Sequence, residues 1–133
     1  MAKTIEEEMK KVGVEVISKR VVNATANDLT TVDAVVLGAP TYHHDLIGSM
    51  KTFLFEMEKT DLKGKVGAAF GSYGWSGESV QMMTDTMKHI FAMNVIEPGL
   101  KLLRRPSQSD LKRCQEFGRM VAEKTKEAKK MGQ

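Results

Sequence analysis

Residues 33–38 of the sequence read Asp33-Ala34-Val35-Val36-Leu37-Gly38, a short apolar run between an aspartate and a glycine. A continuous apolar run of this length is typical of a β-strand covered on both faces by helices. We therefore predict a central strand here. The segment that follows is Gly38-Ala39-Pro40-Thr41-Tyr42-His43-His44, and it is predicted to be a loop because proline removes a backbone donor and glycine relaxes the backbone.

A second run of the same kind is Lys65-Val66-Gly67-Ala68-Ala69-Phe70-Gly71-Ser72. Its small residues allow flanking helices to pack closely, and it is also predicted to be a buried strand. A second loop follows, punctuated by Gly71, Gly74 and Gly77. In a parallel sheet, ligands bind beyond the carboxyl ends of the strands, so both loops are expected at one edge.

Apolar residues at helical spacing surround these two strands and predict four helices. The first ends at Gly13, the second closes near Thr60, and the last begins at a capping-box-like Ser107 and Asp110. The apolar positions are Ile5, Met9 and Val12 in the first helix, Met50, Phe53, Leu54 and Met57 in the second, Val80, Met83, Met87 and Ile90 in the third, and Leu111, Cys114, Gly118 and Val121 in the last.

Two further extended segments complete the pattern. The β-branched stretch from Val14 to Val22 is predicted to be a strand near a sheet edge, and residues 95–104 contain a last extended segment broken by Pro98-Gly99. Strands that alternate with helices imply right-handed crossovers. The predicted fold is therefore α/β, a doubly wound parallel sheet, formed by residues 1–133 as one domain.

Composition and charge exclude several classes of protein. The chain is 41% hydrophobic and 28% charged, in the range of soluble globular domains, and no apolar stretch approaches the roughly 20 residues of a membrane span. The single Cys114 allows no internal disulfide, which favours a cytoplasmic location.

The net charge of +3 is concentrated from Lys101 onward, and no aromatic residues interleave Lys124, Lys126, Lys129 and Lys130. A solvated helix end is therefore favoured over a nucleic-acid surface.

The two loops contain the residues that a flat redox-active ring requires. Such a ring needs aromatic planes to stack on, backbone amides near its heteroatoms, and glycines that let those amides approach. Gly38-Ala39-Pro40-Thr41-Tyr42 resembles the first ring-binding loop of flavodoxins. Phe70-Gly71-Ser72-Tyr73-Gly74-Trp75-Ser76-Gly77 is similar to the second loop, in the form found in the flavodoxin domain of A-type flavoproteins, the flavo-diiron proteins.

This resemblance covers essentially the whole chain, with further matches at Leu111, Cys114 and Gly118. It implies that the cofactor is FMN, that the loops contact the isoalloxazine ring, and that Tyr42 and Trp75 are its stacking partners. It implies no side chain that acts as an acid or base and no metal site. The implied cofactor-binding residues are Pro40, Thr41, Tyr42, His43, His44, Ser72, Tyr73, Gly74 and Trp75.

The sequence departs from the family at its start. A hydrophobic strand and a Ser/Thr-Gly-Asn-Thr loop, which wraps the FMN phosphate, precede the first helix in the family. Residues 1–5 already resemble that helix, so we expect a weakened or lost phosphate site. Three arrangements are compatible with the sequence: the strand at 14–22 pairs directly beside 33–38, another protomer in a homodimer supplies the pairing, or the natural chain is longer.

Other interpretations of these motifs were weighed. Tyr42 and Trp75 are alternatively surface aromatics packed on neighbouring helices. The spacing of Gly71, Gly74 and Gly77 differs from the dinucleotide fingerprint G-x-G-x-x-G. His43-His44-Asp45 lacks a third metal ligand nearby, and adjacent residues of an extended loop point apart.

The sequence thus predicts an FMN-binding electron-transfer flavoprotein domain that works with redox partner proteins, a carrier rather than a self-sufficient oxidoreductase. Two alternatives remain open at this point. One is a flavodoxin-like domain that has lost flavin binding and acts as an assembly or interaction module. The other is flavin-dependent NAD(P)H:quinone reduction. Neither a nucleic-acid partner nor a membrane partner is predicted.

Overall fold

The computed structural model describes residues 2–39, 41–42, 45–46, 48–73, 78–103 and 108–131. Strands and helices alternate along these ranges, as the hydrophobic pattern predicted. The strands are β1 (Ala34–Gly38), β2 (Thr41–Tyr42), β3 (Asp45–Leu46), β4 (Val66–Tyr73), β5 (Asn94–Val95) and β6 (Leu100–Leu103). The helices are α1 (Ala2–Val12), α2 (Gly48–Met57), α3 (Glu78–Asp85) and α4 (Gln108–Met131), with a π-helical turn at Thr86–Ile90 and 3-10 turns at Val21–Asn23 and Ala26–Leu29.

A parallel sheet is built around β4. Strand β1 pairs along one side of β4, from Ala34 opposite Val66 to Gly38 opposite Phe70. Strands β5 and β6 both pair in parallel with β4, and the interruption between them contains Pro98-Gly99 as predicted. The predicted α/β class with a parallel sheet is confirmed.

Apolar side chains form one cluster on each face of this sheet, because successive strand residues point to opposite faces. Val35, Leu37 and Ala69 face α2 and α3, together with residues such as Met50 and Met83. The opposite cluster joins the sheet to α1 and α4 and contains Val66, Ala68, Ile5, Met9, Cys114, Phe117 and Val121. Helices therefore cover both faces, as a doubly wound sheet requires.

The packing of α1 against α4 depends on a close approach at Gly118. A Cβ atom added at Gly118 would lie 2.8 Å from the carbonyl oxygen of Ile5, closer than real contacts allow. Beside this contact, the buried carboxylate of Glu8 is paired with Arg119 at 3.0 Å. Because an unpaired buried carboxylate is costly, this ion pair makes the close packing of the two helices tolerable.

Two strand predictions are wrong for the described part of the chain: the strand at 14–22, and the central position in the sheet of the strand at 33–38. Residues 14–20 form no strand and lead into the 3-10 turn at Val21–Asn23, although a strand was predicted from Val14 to Val22. A strand requires a neighbour for its backbone groups, and no described residue pairs with this segment. Direct pairing beside β1 therefore does not occur. As a result β1 lies at the outer end of the described sheet, and β4 takes the central place.

The helix predictions are correct in position but wrong at two apolar residues. Ile90 is exposed because the π-helical turn adds a residue to the last turn and rotates it away from the stripe of Val80, Met83 and Met87. Leu111 is also exposed, since the buried stripe of α4 begins only at Cys114. Ser107, the predicted cap of α4, lies outside the described residues. Within the described ranges, no helix combines the length and apolar character that a membrane span needs.

Burial of Cys114 generates a prediction about stability at alkaline pH. Desolvation raises the pKa of this thiol, so the folded state favours the protonated form more than the unfolded state does. Its contribution to the free energy of unfolding is therefore full below the ordinary thiol pKa of about 8.5 and is lost as the pH rises through the raised value. Urea unfolding of the wild type and Cys114→Ala at increasing pH measures this.

We expect the stability difference between wild type and Cys114→Ala to shrink above about pH 8.5, because the alanine variant lacks the titrating group. Both chains retain the same tyrosine and lysine residues, so the contributions of these residues to the pH dependence of stability cancel in the difference. A stability difference that stays constant through this range would contradict the assignment.

Candidate functional site

The two predicted loops begin at the same edge of the sheet. Because β1 and β4 are parallel and Gly38 lies opposite Phe70, their carboxyl ends point the same way and lie side by side. The chain enters the first predicted loop after β1 and the second after β4. The convergence predicted from the sequence is therefore confirmed for the described backbone.

Ala39 fixes the start of the first loop by both of its backbone groups. Its N–H donates to the carbonyl oxygen of Phe70 at 3.2 Å, and its carbonyl oxygen accepts from the Ser79 hydroxyl at 3.2 Å. Ser79 is fully buried in the first turn of α3. The loop after β1 is thus tied to the helix that follows the second loop.

A glycine makes this arrangement possible. A Cβ atom added at Gly71 would lie 2.2 Å from the carbonyl oxygen of Ala39 and 3.0 Å from Cγ2 of Val80. Only a residue without a Cβ allows β4, the first loop and α3 to meet this closely. Gly71 and Ser72 lie in β4, as the run from Lys65 to Ser72 predicted, and the strand extends one residue further, to Tyr73.

The first loop also contains regular structure that was not predicted. Thr41 pairs with Leu46 and Tyr42 with Asp45 in a short antiparallel ladder, β2 with β3. This ladder contacts α3 and β4. The described backbone after β1 therefore includes a short antiparallel ladder beside β4, where only a loop was predicted.

The predicted site residues are described to different extents. The backbones of Thr41 and Tyr42 lie in β2, the backbone of Tyr73 ends β4, and Ser72 is half-buried in β4 opposite Leu102. The remaining predicted positions lie outside the described residues, and their role stays a prediction. These are Pro40, His43, His44, Gly74 and Trp75.

Ser79 is a site residue that the sequence interpretation missed. Its hydroxyl holds Ala39 at the point where the chain leaves β1, so it positions the first loop. A serine beside Glu78 in a first helical turn gives no signal of this role, because the partner is 40 positions away in sequence.

Charged and metal-binding groups add little to the described part of this edge. Asp28 has a lowered pKa because its carboxylate accepts hydrogen bonds from the Lys19 ammonium and the Thr25 backbone N–H. It lies before β1, away from the carboxyl edge. Among the described residues, no group of three His, Cys, Asp or Glu side chains is placed to hold a metal.

Comparison with known sequences identifies the family. The family described as NADPH-dependent FMN reductase matches residues 2–103. This chain belongs to that family.

Individual relatives agree with the loop resemblance. The type A flavoprotein fprA of Rhodobacter capsulatus is 37% identical over 91 residues, which cover 68% of this chain and 21% of that protein. The flavo-diiron protein FprA2 of Clostridium acetobutylicum is 33% identical over 86 residues, 65% of this chain and 21% of that protein. This chain thus spans about a fifth of the length of these relatives.

A solved structure matches over nearly its whole length. It is a flavodoxin from the domain Archaea, with a TM-score of 0.89 and 32% sequence identity over 94% of this chain and 87% of that one. The flavodoxin-like fold class and the resemblance to flavo-diiron proteins are therefore both confirmed.

The anchoring role of Ser79 is tested by a pair of substitutions in α3. Ser79→Ala leaves the carbonyl oxygen of Ala39 without its donor, and we expect a loss of about 1–3 kcal/mol in the free energy of unfolding. The matched control is Thr84→Val, since the buried Thr84 hydroxyl has no hydrogen-bond partner among the described residues. This control should leave stability unchanged or raise it. Urea denaturation measures both, and equal losses would contradict the specific role of Ser79.

Proposed function

We propose that this chain binds the isoalloxazine ring of FMN at the carboxyl edge of β1 and β4 and acts as an electron-transfer domain. The observation that carries the proposal is the convergence of the two loops at that edge, fixed by Ala39, Gly71 and Ser79. Membership of a family described as an FMN reductase and similarity to flavoproteins support the same cofactor.

The residue types at this edge fit a flavin ring. The close packing at Gly71 brings the backbone of the first loop to the end of β4, where backbone amides can reach ring heteroatoms. The Ser72 hydroxyl adds a donor and acceptor in the same place. Tyr42 and Trp75 are the aromatic residues that we propose to stack on the ring, with Thr41 and Tyr73 beside them.

These residues would bind the ring, orient it and exclude water from it. FMN supplies the electron-transfer chemistry when bound, and the protein tunes it through the surroundings of the ring. Stacked aromatic side chains and neutral backbone groups disfavour extra negative charge on a bound ring, because they remove water without adding a cation. No side chain of this chain needs to act as an acid or base, and the electrons pass to and from redox partner proteins.

Flavin binding is tested by titrating the purified chain into FMN and following the quenching of flavin fluorescence. We expect saturable quenching, and Trp75→Ala should weaken affinity by about tenfold or more through lost stacking and apolar contact. The matched control is Phe55→Ala, because Phe55 is an exposed aromatic residue on α2 and belongs to neither predicted loop. It should bind FMN as the wild type does.

Riboflavin in the same titration separates ring binding from phosphate binding. We propose that the ring loops provide most of the affinity and that the phosphate site is weakened, so riboflavin should bind within about threefold of FMN. A much tighter complex with FMN would contradict the weakened phosphate site but not ring binding. Absence of quenching by either flavin would overturn ring binding and favour the interaction module.

The carrier role is separated from reductase activity by a turnover assay. The family description names NADPH, so the chain is mixed with NADPH, excess FMN and a quinone, and NADPH absorbance is followed. We expect oxidation no faster than in FMN controls without protein, because we propose a carrier that depends on a separate reductase. Sustained turnover that requires the chain would contradict the carrier role and establish a reductase.

A further inference from the structure

A cavity of about 250 Å³ lies at the amino-terminal edge of the sheet. Glu58 and residues 60–62, which precede β4, form one wall, and Ile90 and Phe91, which precede β5, form the other. Because β4 and β5 are parallel, the segments that lead into them lie at the same edge. This edge is opposite the candidate flavin site. We call this cavity the amino-edge cavity.

Hydrogen bonds hold both walls of the amino-edge cavity in place. The Thr60 hydroxyl donates to the carbonyl oxygen of Ala26 at 3.1 Å. The N–H of Gly64 donates to the carbonyl oxygen of Ala92 at 3.0 Å, which ties the two walls together. Ala92 itself adopts the left-handed conformation, with a φ of 53°, and the buried Leu62 lines the cavity. The walls are therefore fixed by the protein alone, which lowers the ordering cost of binding a ligand.

Two carboxylates line the amino-edge cavity without a cation. Glu58 and Asp61 are both exposed, and Asp61 accepts a hydrogen bond from the backbone N–H of Lys63 at 3.1 Å. Among the described residues, no Lys or Arg side chain lines the cavity. Lys59, which follows Glu58, is paired with Glu56 at 2.9 Å. The cavity therefore has two negative charges with no ion-pair partner within the described ranges, and it attracts a cation.

Exposed apolar side chains extend this surface beyond the cavity. Ile90 is 64% exposed at the end of the π-helical turn, in which the N–H of Phe91 donates to the carbonyl oxygen of Thr86 at 3.2 Å. Phe55 is 71% exposed. The N–H of Glu58 donates to the carbonyl oxygen of Phe55 at 3.2 Å, a 3-10 type of turn in which side chains three residues apart lie one above the other. Phe55 therefore lies beside the wall that contains Glu58, and Ile90 belongs to the opposite wall.

The charges and the apolar side chains together specify the occupant. The carboxylates require a cation, and an arginine guanidinium donates to two carboxylates at once while its aliphatic stem packs on apolar surface. A small free cation would fill the cavity but leave Phe55 and Ile90 in water. A protein segment with apolar residues beside an arginine covers these two side chains as well.

We propose that the amino-edge cavity and its apolar surroundings bind a segment of a partner protein in which an arginine stands between apolar residues. The guanidinium enters the cavity beside Glu58 and Asp61, and the flanking apolar side chains cover Phe55 and Ile90. Because this surface lies at the edge opposite the candidate flavin site, the interaction does not depend on flavin binding.

A second copy of this chain is a poorer source of the arginine. Two of the three arginines in the described ranges are already paired within their own chain. Arg113 lies 3.5 Å from Asp110, and Arg119 lies 3.0 Å from the buried Glu8. A second copy would have to offer Arg20 from the described part of the chain, so self-association is one of the outcomes that the test separates.

The test titrates the 15N-labelled 133-residue chain with a synthetic peptide in which one arginine stands between two pairs of leucines. We expect saturable shifts of the amides of Thr60, Leu62 and Phe91, and an affinity that falls as salt is added, because exposed charges are screened. The control peptide has citrulline in place of arginine. Citrulline keeps the shape of the side chain but not its charge, so this peptide should bind at least tenfold more weakly.

Substitutions at exposed positions localise the binding on the protein. Glu58→Gln combined with Asp61→Asn removes both charges and should weaken peptide binding by at least tenfold. Glu116→Gln, at an exposed carboxylate of α4, should leave it unchanged. Ile90→Ser removes part of the apolar surface and should weaken binding by at least threefold, whereas Leu111→Ser, at an exposed leucine of α4, should bind the peptide as the wild type does.

Absence of saturable binding, equal binding of the citrulline peptide, or shifts confined to other parts of the chain would overturn the proposal. Methylguanidinium that binds as tightly as the peptide would also overturn it, because the apolar surface would then play no part. A peptide-free homodimer that buries the same amides would overturn it and identify a second copy as the occupant. Each readout is taken without flavin, so failure here leaves the proposed flavin function unaffected.

Discussion

The parallel hydrogen bonding of β1 to β4 determines where the two predicted loops leave the sheet. It fixes Gly38 opposite Phe70, which brings the carboxyl ends of both strands to one edge. It also sets which backbone groups of β1 are used and which are turned outward. The position of the candidate flavin site is therefore a consequence of one strand pair, at the carboxyl end of β1.

The close contacts at the carboxyl end explain why a small set of small residues occupies it. Ala39 is held by Phe70 and Ser79, and Gly71 has no space for a side chain against the Ala39 carbonyl. This packing fixes the backbone from which both predicted loops extend. A preformed backbone reduces the ordering that a ligand must impose on binding, which favours affinity for a rigid flat ring.

The apolar runs at 33–38 and 65–72 were sufficient to predict the parallel sheet and the edge at which its loops meet, because burial on both faces leaves a continuous hydrophobic signal. The segment at 14–22 has the same β-branched character, yet it is no strand. Its propensity acts only when a neighbouring strand offers hydrogen bonds, and this neighbour is not encoded in the local pattern. Ile90 was predicted to be buried and is exposed, because a π-helical turn breaks the 3.6-residue period on which that prediction relied.

The hydroxyl of Ser79 and the absent side chain of Gly71 illustrate a different limit. Both act on Ala39, a residue distant in sequence, and neither residue type identifies its partner before the fold is known. The aromatic and glycine pattern of the loops, by contrast, predicts a ligand from residue types alone, because a flat ring demands those types together. The sequence thus supports a prediction of the kind of ligand, whereas the contacts that hold the loops in place emerge only from the fold.

The most direct test of the proposed flavin site is an NMR titration of the 15N-labelled chain with FMN, in which every shifted amide is mapped on the structure. Binding at the carboxyl edge predicts the largest changes at Ala39, Ser72 and Ser79, with little change at Val14, Val16 and Ala34. Saturable changes confined to residues 14–20, or to the amino-terminal ends of the strands, would contradict it.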